Sequence, residues 1–162
     1  MRITCAGQHY RGRGRLVKWE AARLDAGQIN KYKTINFWNP NRQPKLISET
    51  EISWETVTTG GASAVDLWLD GFSGSDKLFI ETNQGSMTID ANKIEVAGVT
   101  KECGGMDIRL NVQQLPQRMS EKYLSVSRDL KLTQGTERRL FVRVTQEDGH
   151  QAWTSPFYIL RS

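Results

Sequence analysis

Residues 52–71 read Ile52-Ser53-Trp54-Glu55-Thr56-Val57-Thr58-Thr59-Gly60-Gly61-Ala62-Ser63-Ala64-Val65-Asp66-Leu67-Trp68-Leu69-Asp70-Gly71. Ile52, Trp54 and Thr56 alternate with Ser53 and Glu55, and Val65, Leu67 and Leu69 alternate with Asp66, Trp68 and Asp70. Successive side chains of a strand point to opposite faces, so a period of two puts one face in a core and the other in water. The same pattern returns at Ile108, Leu110 and Val112 and at Val142 and Val144. Turn residues separate the runs: Asn39-Pro40-Asn41, Gly60-Gly61, Asp70-Gly71, Asn83-Gln84-Gly85, Gly104-Gly105, Gln134-Gly135 and Asp148-Gly149. Such punctuation marks short strands joined by tight turns. The stretch nearest to a helix, Gln114 to Lys122, holds Pro116 and too few apolar residues for an amphipathic face, so it reads as a loop or one turn. The chain is therefore expected to be all-β, with roughly nine or ten strands. One flat sheet of that size would lack a dry face, so the expectation is a two-sheet antiparallel sandwich. Trp54, Val65, Leu67, Leu69, Ile108, Leu110, Val142 and Val144 should lie between the sheets, and residues 1–162 should form a single domain.

The composition is globular: 162 residues, 38% hydrophobic, with a net charge of +4. No run approaches the ~18 apolar residues of a membrane span, and Met1-Arg2-Ile3-Thr4-Cys5-Ala6-Gly7 lacks the apolar core of a signal peptide. The expectation is either a cytoplasmic chain or the C-terminal part of a longer one. Charge is unevenly spread. Residues 1–45 hold ten Lys/Arg against two Asp/Glu, while residues 46–162 hold twelve against sixteen. A basic end on a mildly acidic body suits an acidic partner, and a solvated strand face suits it equally.

Signals for chemistry are few. His9 and His150 lie far apart in turn-like contexts, and neither forms a closely spaced pair that could hold a metal. Cys5 and Cys103 lie outside any C-x-x-C pair and read as two unpaired thiols rather than a disulfide. Gly60-Gly61-Ala62-Ser63-Ala64 ends in Ala where a nucleophile elbow needs Gly, and no phosphate-binding loop is present. Carboxylates are plentiful, but no spacing singles out a pair. No catalytic residue, metal ligand or cofactor is assigned.

Binding features are clearer. Arg11, Arg13 and Arg15, interleaved with glycines and followed by Lys18 and Trp19, form a candidate partner-docking or anion-binding rail. The plainer reading is a charged strand that discourages edge-to-edge aggregation. Five tryptophans are present, Trp19, Trp38, Trp54, Trp68 and Trp153, of which Trp68 is out of phase with Leu67 and Leu69. Trp68 is therefore one candidate ligand platform, and Trp153 is a second if it lies on the surface.

The end of the chain carries the most distinctive pattern. Residues 140–160 read Leu-Phe-Val-Arg-Val-Thr-Gln-Glu-Asp-Gly-His-Gln-Ala-Trp-Thr-Ser-Pro-Phe-Tyr-Ile-Leu. This reads as a hairpin: Leu140–Gln146 turns at Asp148-Gly149 and returns as Gln151–Trp153. Pro156 then breaks the ladder before a last strand, Phe157–Leu160. Trp153 is expected to be buried over the open end of the core. The segment resembles the terminal hairpin of a β-sandwich that follows the catalytic barrel in proteins related to the PHP (polymerase and histidinol phosphatase) metal-dependent hydrolases. Arg13-Gly14-Arg15 with Trp19, Asn36-Phe37-Trp38-Asn39-Pro40 and Thr58-Thr59-Gly60-Gly61 are similar to stretches in the C-terminal part of a bacterial PHP-like group whose function is unknown. The metal ligands of those hydrolases belong to a preceding domain with no counterpart here. The resemblance therefore implies a non-catalytic accessory β-sandwich domain that packs on a metal-dependent hydrolase domain in cis. The alternative partners are a carbohydrate and, through the basic N-terminal third, a nucleic acid.

Overall fold

The computed structural model describes residues 1–10, 16–22, 27–37, 39, 41–116, 123, 125–131, 133–146 and 151–160. The chain divides into two compact units, Met1–Pro116 and Gln117–Ser162, where the sequence alone suggests one. The first unit holds β1 (Arg2–Gln8), β2 (Val17–Ala22), β3 (Gln28–Ile35), β4 (Lys45–Leu46), β5 (Ile52–Thr58), β6 (Ala62–Asp70), β7 (Lys77–Thr82), β8 (Gly85–Asp90), β9 (Val99–Gly104) and β10 (Met106–Gln113). The one helical element among the described residues is a single 3₁₀ turn, Ala91–Lys93.

Among the described residues these ten strands form two five-stranded antiparallel sheets, in the orders β3-β6-β1-β10-β9 and β4-β5-β2-β7-β8. Each strand's alternation turns one set of side chains toward a shared apolar cluster. The first sheet contributes Ile3, Cys5, Val65, Leu67, Ile108, Leu110 and Val112 to it, and the second contributes Val17, Trp19, Ile52, Trp54, Leu78, Ile80, Met87 and Ile89. Burial of this many apolar side chains, at about 25 cal/mol per Å², is the main favourable term for the unit. Trp54, Val65, Leu67, Ile108 and Leu110 are buried as their period predicts, and Leu69 packs on the cluster while partly exposed.

Gly60-Gly61, which reads as a turn, is the point where the chain passes from one sheet to the other. β5 belongs to the second sheet and β6 to the first. The crossing is fastened to Gly7 of β1. The Gly60 N–H donates to the Gly7 carbonyl at 2.9 Å, and the Gly7 N–H donates to the Gly61 carbonyl at 3.1 Å. The buried Thr58 hydroxyl also donates to the Gly7 carbonyl, at 2.8 Å, and accepts the Trp19 indole N–H at 3.0 Å. The largest fully buried ring of the core thus keeps its polar atom satisfied, which a buried indole requires.

The second unit holds β11 (Glu137–Leu140), β12 (Arg143–Thr145), β13 (Gln151–Trp153) and β14 (Phe157–Leu160). β12 pairs with β13 and β11 with β14, all antiparallel, so the four strands nest as an interrupted antiparallel ladder. Across the interruption the Thr154 N–H donates to the Val142 carbonyl, and the Val142 N–H donates to the Thr154 hydroxyl, both at 3.0 Å. The turn Asp148-Gly149 lies outside the described residues. Three expectations of burial are overturned here: Val142 and Val144 are about half exposed, and Trp153 is 60% exposed. Alternation says which residues share a face. It does not say that the face has a second layer, and among the described residues each ladder of this unit pairs only two strands.

Candidate functional site

β6 runs between β3 and β1, with Ser63, Val65 and Leu67 turned to the core. Its other face carries Asp66, Trp68 and Asp70. In the antiparallel ladder Lys33 lies opposite Asp66 and Lys31 opposite Trp68, so these four side chains share the outer surface. The register of β3 shifts between Ile29 and Lys31. Such a bulge leaves its extra residue unpaired and free to re-aim. Asn30 uses that freedom to donate its side-chain amide to Asp70 Oδ2 at 2.5 Å.

Trp68 is 43% exposed, and the Lys31 ammonium lies 5.1 Å from its ring centroid, within cation–π range. Beside it, Asp66 is fully buried, although it sits on the outward side of its strand. Arg2 makes this possible by a two-pronged pair, Nε to Oδ1 at 2.7 Å and Nη2 to Oδ2 at 2.9 Å. The fork matches a carboxylate and neutralises it in place. The N-terminal ammonium donates to the Leu67 carbonyl at 2.9 Å. Partial burial lowers its pKa, with the Asp66 charge opposing.

The remaining candidates are dispersed. Arg11, Arg13 and Arg15 lie outside the described residues. Lys18 is exposed on β2 and pairs with Glu20, whose carboxylate raises the lysine pKa. Near it lies a recess lined by Lys18, Phe37, Asn39, Val57 and the Arg42–Glu55 ion pair, 2.9 Å long. A second recess, of about 330 Å³, opens beyond that pair toward Lys45, Ser53 and Trp54. Lys18 and Arg42 are each matched by a carboxylate, so this basic stretch offers less free positive charge than its sequence suggests. Trp153 stands opposite Arg143 in the terminal hairpin, far along the chain from Trp68 and in the other unit.

Cys5 and Cys103 are free thiols. Burial pushes the Cys5 thiol up to about 12, against a hydrogen bond from Trp54 that pulls the other way. Cys5 is therefore a packed apolar group and not a nucleophile. Cys103 is half-buried at the rim of the core. His9 is exposed, and His150 lies outside the described residues. Among the described residues no three His, Cys, Asp or Glu side chains come together as a metal site would need.

The structure thus brings one predicted residue, Trp68, into a polar setting that the sequence reading missed: Lys31, Lys33, Asn30 and Asp70. The alternation Lys31-Tyr32-Lys33 was a visible signal for the two lysines. Their placement against β6 was not, because strand pairing between distant segments decides it. No family model, curated protein or solved structure matches the chain.

Proposed function

We propose that this chain is a non-catalytic accessory β domain that docks on a metal-dependent hydrolase domain through its terminal hairpin. The observation that carries this reading is the apolar surface of residues 140–160. Phe141, Val142, Val144, Trp153, Phe157, Tyr158 and Leu160 are all exposed. Water-facing apolar side chains at this density mark interaction surfaces. The cross-strand pairs sort the ladder. Leu140 faces Phe157 and Val144 faces Ala152, while Arg139 faces Tyr158 and Arg143 faces Trp153. Arg139 lies 5.6 Å from the Tyr158 ring centroid. Aromatic residues and arginine on an apolar ground are the residue types that concentrate at protein–protein interfaces. The same residues carry the resemblance to the closing hairpin of PHP-like proteins, which supplies the partner's class.

The test begins with the coding sequence next to this domain, where the proposal expects a histidine-rich metal-binding domain. That domain, supplied separately, should co-purify with this chain. Val144→Asp and Phe157→Asp should each abolish co-purification while leaving the β-sheet circular dichroism signal unchanged. Absence of such a coding sequence, or co-purification that survives both substitutions, defeats the reading.

A further inference from the structure

We propose that the outer surface of β3 and β6, centred on Trp68 and Lys31, is a binding site for a carboxylated sugar chain. The inference is independent of the docking role, because it concerns a sheet face of Met1–Pro116 and the hairpin belongs to the other unit.

The chemistry is read along β6. At the centre lies the Trp68 ring, exposed enough to stack on the apolar face of a sugar. Asp70 and Asn30 stand at one end. The Asn30 amide satisfies one site of the Asp70 carboxylate. An ionised carboxylate has about four lone-pair sites, so Asp70 keeps capacity for sugar hydroxyl donors. At the other end Lys33 stands opposite Asp66. Asp66 presents no free charge there, because the Arg2 fork occupies both of its oxygens and the side chain is buried. Lys31 and Lys33 have no ion-pair partner among the described residues. Among the described residues the surface therefore presents two ammonium groups without a carboxylate partner beside an aromatic ring, with a hydroxyl acceptor at the Asp70 end.

Lys31 decides between a neutral and an acidic sugar. Its ammonium sits over the Trp68 ring. A neutral sugar that stacks there must displace the ammonium and gains no charge partner for it. A sugar with a carboxylate converts the displaced ammonium into a charge-assisted hydrogen bond. Asp66 to Asp70 spans four residues, about 13 Å at the usual strand rise, which is room for more than one ring. In this arrangement a ring stacks in the middle, a carboxylate lies toward Lys33 and ring hydroxyls lie toward Asp70.

The experiment is calorimetric titration of the full chain with tetragalacturonate and with the neutral galactose tetrasaccharide. The acidic oligomer should bind about tenfold tighter than the neutral one, the size of one good charged contact. Trp68→Ala should weaken it by about tenfold or more, since stacking on one aromatic ring is of that order. Lys31→Gln should bring the acidic oligomer down to the level of the neutral one, and Trp153→Ala should change nothing. All of these positions are exposed, so the fold tolerates the changes. Failure to bind tetragalacturonate overturns the proposal, as does equal affinity for both oligomers. Undiminished binding by Trp68→Ala or Lys31→Gln overturns it too. Inorganic polyphosphate that competes as well as tetragalacturonate would mean a merely cationic surface, and that result also overturns it.

Discussion

Gly7→Ala should be among the most damaging single-atom-scale changes available in this protein. Gly7 sits at the bulge of β1, between Ala6 and Gln8, with φ of +106°. A Cβ there would lie 2.3 Å from the Asp107 carbonyl oxygen, 2.5 Å from its carbon and 2.5 Å from the Ile108 Cα. All three are backbone atoms, so no rotamer change relieves the clash. β1 would have to part from β10, and the Gly7 amide and carbonyl would leave Gly61, Gly60 and Thr58. Positive φ costs an alanine roughly 1–2 kcal/mol. Each hydrogen bond weakened adds about 1 kcal/mol. The expected loss is therefore about 3–5 kcal/mol, a large share of the ~5–15 kcal/mol that holds a domain together. Gly71→Ala is the control. Gly71 also has positive φ, +70°, but no atom lies within 4 Å of its would-be Cβ. It should lose only the conformational part, about 1–2 kcal/mol. Urea unfolding followed by tryptophan fluorescence reads the difference through Trp19 and Trp54 in the core. If the two variants lose the same stability to within about 0.5 kcal/mol, the crossing at Gly7 is not the fixed point described here.

Further outcomes follow from the same structure. Arg2→Ala leaves the Asp66 carboxylate buried without its partner and should cost about 3–5 kcal/mol in urea unfolding, whereas Lys18→Ala, which breaks an exposed and solvent-screened pair, should leave the unfolding midpoint nearly unchanged. Trp19→Ala should lose about 3–5 kcal/mol and Trp153→Ala less than about 1 kcal/mol, so equal losses would contradict the burial described. In the native state a thiol reagent should modify Cys103 and leave Cys5 untouched until the protein unfolds; two fast thiols would contradict the packing of Cys5. Cys5 holds its proton to about 12 in the folded chain against 9.0 for an ordinary thiol. Above pH 9 the unfolded chain therefore releases a proton that the folded chain keeps. Stability should fall as pH rises from 9 toward 12, and the fall should be shallower in Cys5→Ala.

The alternation in residues 52–70 was enough to establish strands and their inward sides, because the side-chain period of a strand is a local geometric fact. Ile52, Trp54, Val65 and Leu67 are buried for that reason. The all-β class follows from the same local rule applied along the chain. The partner strand is another matter. Gly60-Gly61 looks like a hairpin turn in the sequence, yet it joins two different sheets, because β6 finds its neighbours in β1 and β3 and β5 finds its own in β2 and β4. Apart from β4 with β5, those pairings join segments tens of residues apart, and they are settled by how much apolar surface the whole arrangement buries. Val142, Val144 and Trp153 obey the period and still lie exposed, since a face becomes a core only where another layer covers it. The Trp68 surface divides in the same way. That Trp68 points away from the core could be read from its phase against Leu67 and Leu69. That it meets Lys31, with Lys33 on the same face, and that Asp66 beside it is neutralised by Arg2, came only from tertiary pairing, because the register of β3 and β1 against β6 puts those charges there.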